Sequence, residues 1–283
     1  MKTGIVMEGG AMRGMFTAGV LDVMMEEGLT FDGAVGVSAG ATFGCNLKSR
    51  QIGRAIRYNK TYCKDKRYCS WESLIRTGDL YGVDFCYREL PYELDKFDTE
   101  TFQANPMPFY VVATDLETGR AVYKRIDRGD GEDMKWFVAS ASMPLVSHIS
   151  EIDGRKLLDG GMADSIPLRY MEHKGYERNV VVLTQPRGFV KQPNKQLPLI
   201  RIMLHQYPNV IRTIKNRHIM YNKTTEYIFE REGEGAAFVI APPQALDIGP
   251  ICHDPDELQR VYDIGRKTME ERMEDLKAFM GKS

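Results

Sequence analysis

Ser38 stands in a frame that suits a nucleophile. Gly36-Val37-Ser38-Ala39-Gly40 follows the pattern Gly-x-Ser-x-Gly. That pattern serves where a strand turns sharply into a helix and lifts a serine hydroxyl above the sheet edge. The flanking glycines, Gly36 and Gly40, are needed because a side chain at either place would collide inside the turn. An apolar stretch at 34–37 precedes the serine, and the small residues Ala39-Gly40-Ala41-Thr42 follow it. A helix beginning there would lend its N-terminal dipole and the Ala39 amide to an anion formed at the serine. The plain alternative is a tight strand–helix turn with an incidental serine.

A serine nucleophile needs a base and an anion site. Leu157-Leu158-Asp159-Gly160-Gly161 offers the base: an aspartate at a strand end, with Gly160 and Gly161 leaving its carboxylate open. Asp-Gly alone is a common turn, so the claim of Asp159 comes from its combination with the elbow. Burial beside the serine would raise its pKa towards a useful range. The anion site is offered by Glu8-Gly9-Gly10-Ala11-Met12-Arg13-Gly14. Successive glycines let backbone amides converge at a helix N-terminus. Gly9, Gly10 and Ala11, with Ala39, are the candidate oxyanion donors; Gly14 closes the loop. Arg13 either shapes the loop and assists the anion or is an ordinary surface arginine. A dinucleotide loop competes, but it needs Gly-x-Gly-x-x-Gly/Ala. Here Gly9, Ala11 and Gly14 fill the three positions, and Asp32 precedes the second strand.

These residues must be positioned by an alternation of short apolar strands and helices. Residues 3–7 read as a buried strand, 15–27 as a helix with Phe16, Val20, Leu21 and Met24 on one face, and 34–37 as a second strand. Helical spacing continues from the elbow through Ile52, Ile56 and Tyr58. Residues 64–108 scatter aromatics among charges and read as a cap or irregular excursion. A strand at 109–113 leads through a turn at Glu117-Thr118-Gly119-Arg120 into a strand at 121–126. A helix spans 133–142, strands at 147–152 and 156–158 flank a turn at Asp153-Gly154, and 180–183 is a buried strand. Such alternation implies an α/β domain with a central, largely parallel sheet flanked by helices. The sheet continues to about 184. The rest, 185–283, reads as a mostly helical C-terminal region packed on the core, ending in an amphipathic helix at 255–280.

Chain order separates this arrangement from the ordinary α/β-hydrolase. There the elbow follows several strands, and the partners run Ser, Asp or Glu, then His. Here one clear strand precedes Ala34. Among His148, His173, His205, His218 and His253, His148 lies nearest in sequence to the base segment, and order alone permits a Ser–Asp–His triad. The early elbow argues against it.

Composition sets the outer bounds. The 283 residues are 43% hydrophobic and 27% charged, with a formal net charge of −1. No basic excess points to nucleic acid. The apolar start of the chain is broken at Glu8, unlike a signal peptide, and no apolar run reaches the ~18 residues of a membrane span. Cys45, Cys63, Cys69, Cys86 and Cys252 are odd in number and dispersed. That fits reduced thiols and a cytoplasmic setting. Cys63 and Cys69 lack metal-site spacing, and no metal or organic cofactor is called for. One stretch departs from the average: 187–223 holds eight Lys/Arg and no acid. It reads either as a surface making peripheral contact with an anionic membrane or as packed helix whose cations pair elsewhere.

Taken together, these motifs resemble the patatin-like phospholipase family. Gly9 to Gly14 is similar to its Gly-rich oxyanion loop, Gly36 to Gly40 to its elbow, and Asp159-Gly160-Gly161 to its Asp-Gly-Gly/Ala motif. Ala139-Ser140-Ala141-Ser142-Met143-Pro144 is similar to its small-residue segment before the base. The resemblance covers about residues 4–172, in order. Ala11 stands where many members have a third glycine, and Asp164-Ser165-Ile166-Pro167 where many have an asparagine before a proline. The resemblance implies a patatin-like three-layer fold, a Ser38–Asp159 dyad working without histidine, and lipid acyl esters as substrates, as in a phospholipase A, lysophospholipase or esterase. An acyltransferase using the same dyad and a non-catalytic lipid-binding regulatory module are the other functional classes that fit.

Overall fold

The computed structural model describes residues 1–281; the last two positions of the C-terminal region lie outside it. The chain begins with strand β1 (Thr3–Met7), a short 3-10 turn (Ala11–Arg13) and helix α1 (Gly14–Glu26). Strand β2 (Gly33–Val37) runs into α2 (Ala39–Ser49), and α3 (Arg54–Tyr62) follows a break at Gly53. The excursion contains α4 (Trp71–Thr77), a π-helical segment (Phe85–Leu94) and α5 (Thr99–Ala104). Then come β3 (Phe109–Asp115), β4 (Ala121–Ile126), α6 (Glu132–Ala141), β5 (Ser150–Ile152), β6 (Arg155–Asp159) and α7 (Leu168–His173). The remainder is β7 (Arg178–Val182), α8 (Leu197–Met203), α9 (Pro208–Gly233), β8 (Ala237–Ile240) and α10 (Pro255–Met280). Strand β8 falls inside the stretch expected to be mostly helical.

One eight-stranded sheet has the order β5-β6-β3-β2-β1-β7-β8, with β4 paired to β3. The run β3-β2-β1-β7-β8 is parallel; β4 and β6 are antiparallel to β3. Both faces of the central strands are covered, which is why they read as continuous apolar runs. In β1, Ile5 and Met7 enter one core cluster and Val6 the other, following the two-residue alternation of a strand. One layer is built largely from α1, α2, α6 and α10, the opposite layer from α7 and α9. α1 is buried along nearly its whole length. α10 reaches it closely: a Cβ at Gly19 would lie 2.1 Å from the Tyr262 carbonyl, and one at Gly265 2.1 Å from that of Phe16. No helix among the described residues is long and apolar enough to cross a membrane.

Candidate active site

Register on β3 brings the serine and the aspartate together. Parallel β2 pairs Val37 with Val112, while antiparallel β6 pairs Asp159 with Ala113, the next residue along. Because β4 occupies the other edge of β3, β2 and β6 share one edge and meet end to end. Ser38, one step past Val37, therefore arrives where Asp159 ends its strand. The two side chains thus come within reach of each other, and the Ser38 hydroxyl helps hold the Asp159 pKa down.

The elbow is held by sterics. Ser38 has φ 53° and ψ −121°, a conformation that costs a non-glycine residue on the order of 1–3 kcal/mol and persists only where surroundings impose it. A Cβ at Gly36 would lie 2.4 Å from the Gly40 carbonyl, and one at Gly40 2.4 Å from that of Met7. Both glycines are thus required for packing as well as for the turn. The segment Ala139 to Pro144 ties both halves of the site. The Ser38 N–H donates to Ser140 Oγ (2.8 Å), and the Asp159 N–H donates to the Ser142 carbonyl (2.8 Å).

Asp159 is buried. Its carboxylate accepts the Gly161 N–H (2.7 Å), and its carbonyl accepts the Thr114 hydroxyl (2.8 Å). Burial pushes its pKa up; the Ser38 hydrogen bond, the Arg217 charge and the Gly161 amide hold it down. The Gly160-Gly161 turn is packed against β3, where a Cβ at Gly160 would lie 2.2 Å from the Val112 carbonyl. The Gly161 carbonyl accepts from Ser165 Oγ (2.7 Å) and from Arg217 Nε. Ser165 thus braces the base loop from the stretch that differs from many family members. Asp164 instead accepts from the Tyr123 hydroxyl (2.7 Å).

The Gly-rich loop packs against the elbow. A Cβ at Gly9 would lie 2.9 Å from the Val37 carbonyl, and one at Gly14 2.8 Å from Ala39 Cβ. Ala11 takes φ 47°, the left-handed region that a glycine would enter freely. The Gly9 and Gly10 amides are not committed to another acceptor among the described residues, and Ala39, as the first residue of α2, has no acceptor within the helix. Beneath the loop, Glu8 is buried; its carboxylate accepts the Thr184 N–H (2.6 Å) and the Tyr221 hydroxyl (2.7 Å). Arg13 Nε is buried without a hydrogen-bond partner.

Ser38, Ala11, Met12 and Ala39 open onto an apolar cavity of ≈ 120 Å³. Its buried end includes Arg54, Tyr58 and Phe137; the half-exposed Asp79, Met143 and Ser147 mark the outer rim. His148 stands on this rim with Nδ1 2.9 Å from Asp79 Oδ2. No hydrogen bond among the described residues joins any of the five histidines to Ser38 or Asp159.

Arg217 was not singled out from the sequence, and Ser140 stood there only as part of the segment Ala139 to Pro144, with no role of its own. Arg217 lies in the basic 187–223 stretch, and that stretch divides. Arg217 and Lys191 turn towards the Glu8–Asp159 region, where burial and the neighbouring Arg217 charge lower the Lys191 pKa to about 8. Its lack of acids was the only signal available.

Residues 5–171 match the family model described as patatin-like phospholipase, and residues 207–281 one described as a domain of unknown function (DUF6363). The protein YjjU of Escherichia coli K12, itself named as uncharacterized, is 25% identical over 94% of this chain and 75% of its own length. A patatin-like phospholipase domain-containing protein of Caenorhabditis elegans, ZK370.4, is 24% identical over 61% of this chain. Lysophospholipase nte1 of Aspergillus niger is 26% identical over 62%. The chain spans only 13% and 11% of those two proteins. VipD from Legionella pneumophila, a solved structure, covers 97% of this chain and 67% of its own at TM-score 0.45 and 11% identity. With its family model matched over more than half its length, the chain belongs to the patatin-like phospholipase family.

Proposed function

We propose that the chain is a serine acyl-ester hydrolase in which Ser38 is the nucleophile and Asp159 the base. Family membership supports a lipid-ester hydrolase as the reaction class. The observation that carries the finer assignment is the shared register on β3, which brings a strained serine beside a buried carboxylate, with no histidine hydrogen-bonded to either among the described residues.

The acyl chain of an ester lies in the apolar cavity beside Ser38. As Ser38 Oγ attacks the carbonyl carbon, its proton passes to Asp159. The carbonyl oxygen becomes an oxyanion held by the amides of Gly9, Gly10, Ala11 and Ala39; one such donor is typically worth about 3–4 kcal/mol in the transition state. The carbon–oxygen bond to the alcohol breaks, and the alcohol leaves with the proton from Asp159. Water then attacks the acyl-serine, gives its proton to Asp159, and the acid departs as the serine recovers its proton. Arg13 and Gly14 shape the loop, and Gly160 and Gly161 set the angle of the carboxylate.

A fluorophosphonate probe tests the nucleophile directly. The expected outcome is one covalent adduct, mapped to the peptide carrying Ser38, absent in Ser38→Ala and formed far more slowly in Asp159→Asn. Labelling at another serine, or undiminished labelling of Ser38→Ala, sinks the assignment.

A further inference from the structure

Two short helices expose large apolar side chains to solvent. On α4, Trp71 is 65% exposed and Ile75 87%; on α8, Leu199 is 55% exposed and Ile202 71%, with Met203 beside them. The spacings of three and four residues make each set a continuous stripe on one helix face. The other side of each helix is anchored: Ser73 of α4 is buried, and Ile200 of α8 enters the third core cluster with Leu204. Apolar residues scattered singly over a surface need no explanation, whereas contiguous patches mark interaction sites.

The two stripes flank the rim of the cavity. Residues 143–149 carry Met143 and Ser147 of that rim. On one side the segment is tied to the end of α4: the Leu80 N–H donates to the Val146 carbonyl (2.8 Å), and the His148 N–H to Asp79 Oδ1 (2.8 Å). On the other side, Leu145 and Ile149 pack against the cluster that anchors α8. Charge accompanies the second stripe. Arg187 pairs with Glu232, and Lys191 and Arg217 face the catalytic loops. Lys195, Arg201, Arg212 and Lys215 are exposed and make no ion pair among the described residues.

We propose that α4 and α8 form a docking face that seats the cavity mouth on an anionic lipid bilayer. The apolar stripes enter the interface, and the cations at 195–215 meet the head-group charge. Charge selects the occupant: a second copy would bring the same cations against this face, whereas an anionic bilayer complements them. The orientation rests on the cavity being the acyl site, because it delivers lipid chains to the rim that opens towards Ser38.

Co-sedimentation of the full chain with phosphatidylglycerol vesicles, and with phosphatidylcholine vesicles, tests the face. The expected result is binding to phosphatidylglycerol at least ~10-fold stronger than to phosphatidylcholine, and weakened by salt. Ile202→Glu, at an exposed position, keeps the wild-type melting temperature and loses at least ~10-fold in vesicle affinity. The chain has two tryptophans, and Trp136 is 4% exposed, so Trp71 dominates any change. Its emission moves to shorter wavelength on binding, and Trp71→Phe abolishes the move. Absence of binding, undiminished binding by Ile202→Glu, or unmoved Trp71 emission in the bound protein overturns the proposal. So does self-association that Ile202→Glu abolishes, in the absence of vesicle binding. The assay also uses Ser38→Ala, so docking and hydrolysis fail or hold separately.

Discussion

In the proposed mechanism Asp159 acts as a base only while ionised, and its surroundings pull its pKa in both directions. Burial raises it, and the Ser38 hydroxyl, the Arg217 charge and the Gly161 amide restrain the rise. Activity is therefore expected to fall, as pH drops, above the ordinary aspartate range. Arg217→Met removes one restraint on a raised pKa, so the acid limb of kcat/KM moves to higher pH. An unmoved limb in the pH profile contradicts this role. Ser38 and Asp159 could be named as candidates because each sits in a local motif with its own glycines. Their supports were not: Ser140 is 102 residues from Ser38, and Arg217 is 56 from Gly161. Nothing in a linear pattern signals a partner at such a distance.

At the scale of elements, strands were the most readable feature, because burial on both faces leaves a continuous apolar run. Helix α1 was placed correctly but read as one-faced; it is buried all along because α10 covers the side away from the sheet. Strand β8 was missed. It is four residues long, sits between two long helices, and reads as a strand only once β7 offers it an edge. The excursion 64–108 resisted reading because its short helices and π-helical segment are held by tertiary ring contacts, such as Tyr68 with Tyr81 and Phe85, rather than by local pattern. That excursion supplies much of the cavity wall, including the buried Leu90. Leu90→Ala enlarges the cavity and costs about 2–3 kcal/mol of stability. Its chain-length optimum with p-nitrophenyl esters moves to longer acyl groups; an optimum that stays in place places the acyl chain elsewhere.

Across the whole molecule, Asp22 joins three elements. From α1 it accepts the Gly53 N–H at the start of α3 (3.0 Å) and the Tyr262 hydroxyl of α10 (2.7 Å). Burial, only partly offset by these bonds, raises its pKa to about 6. Because the folded state holds this proton more tightly than the unfolded chain does, the group's contribution is most favourable below about pH 4. It is lost as pH rises through about 6, a difference on the order of 3 kcal/mol. Asp22→Asn keeps an acceptor for both donors and removes the ionisation. It is expected to stabilise the protein by about 1–3 kcal/mol at pH 8, with the gain shrinking towards zero near pH 4 in urea titrations; equal destabilisation at both pH values refutes the linkage. The central claim, a histidine-free dyad, is tested most directly by kcat/KM for p-nitrophenyl ester hydrolysis in wild type, Ser38→Ala, Asp159→Asn and His148→Ala. The account predicts losses of roughly 10³-fold or more in the first two variants and activity within a few-fold of wild type in His148→Ala. A His148→Ala enzyme as inactive as Ser38→Ala, or an Asp159→Asn enzyme that turns over normally, would contradict it.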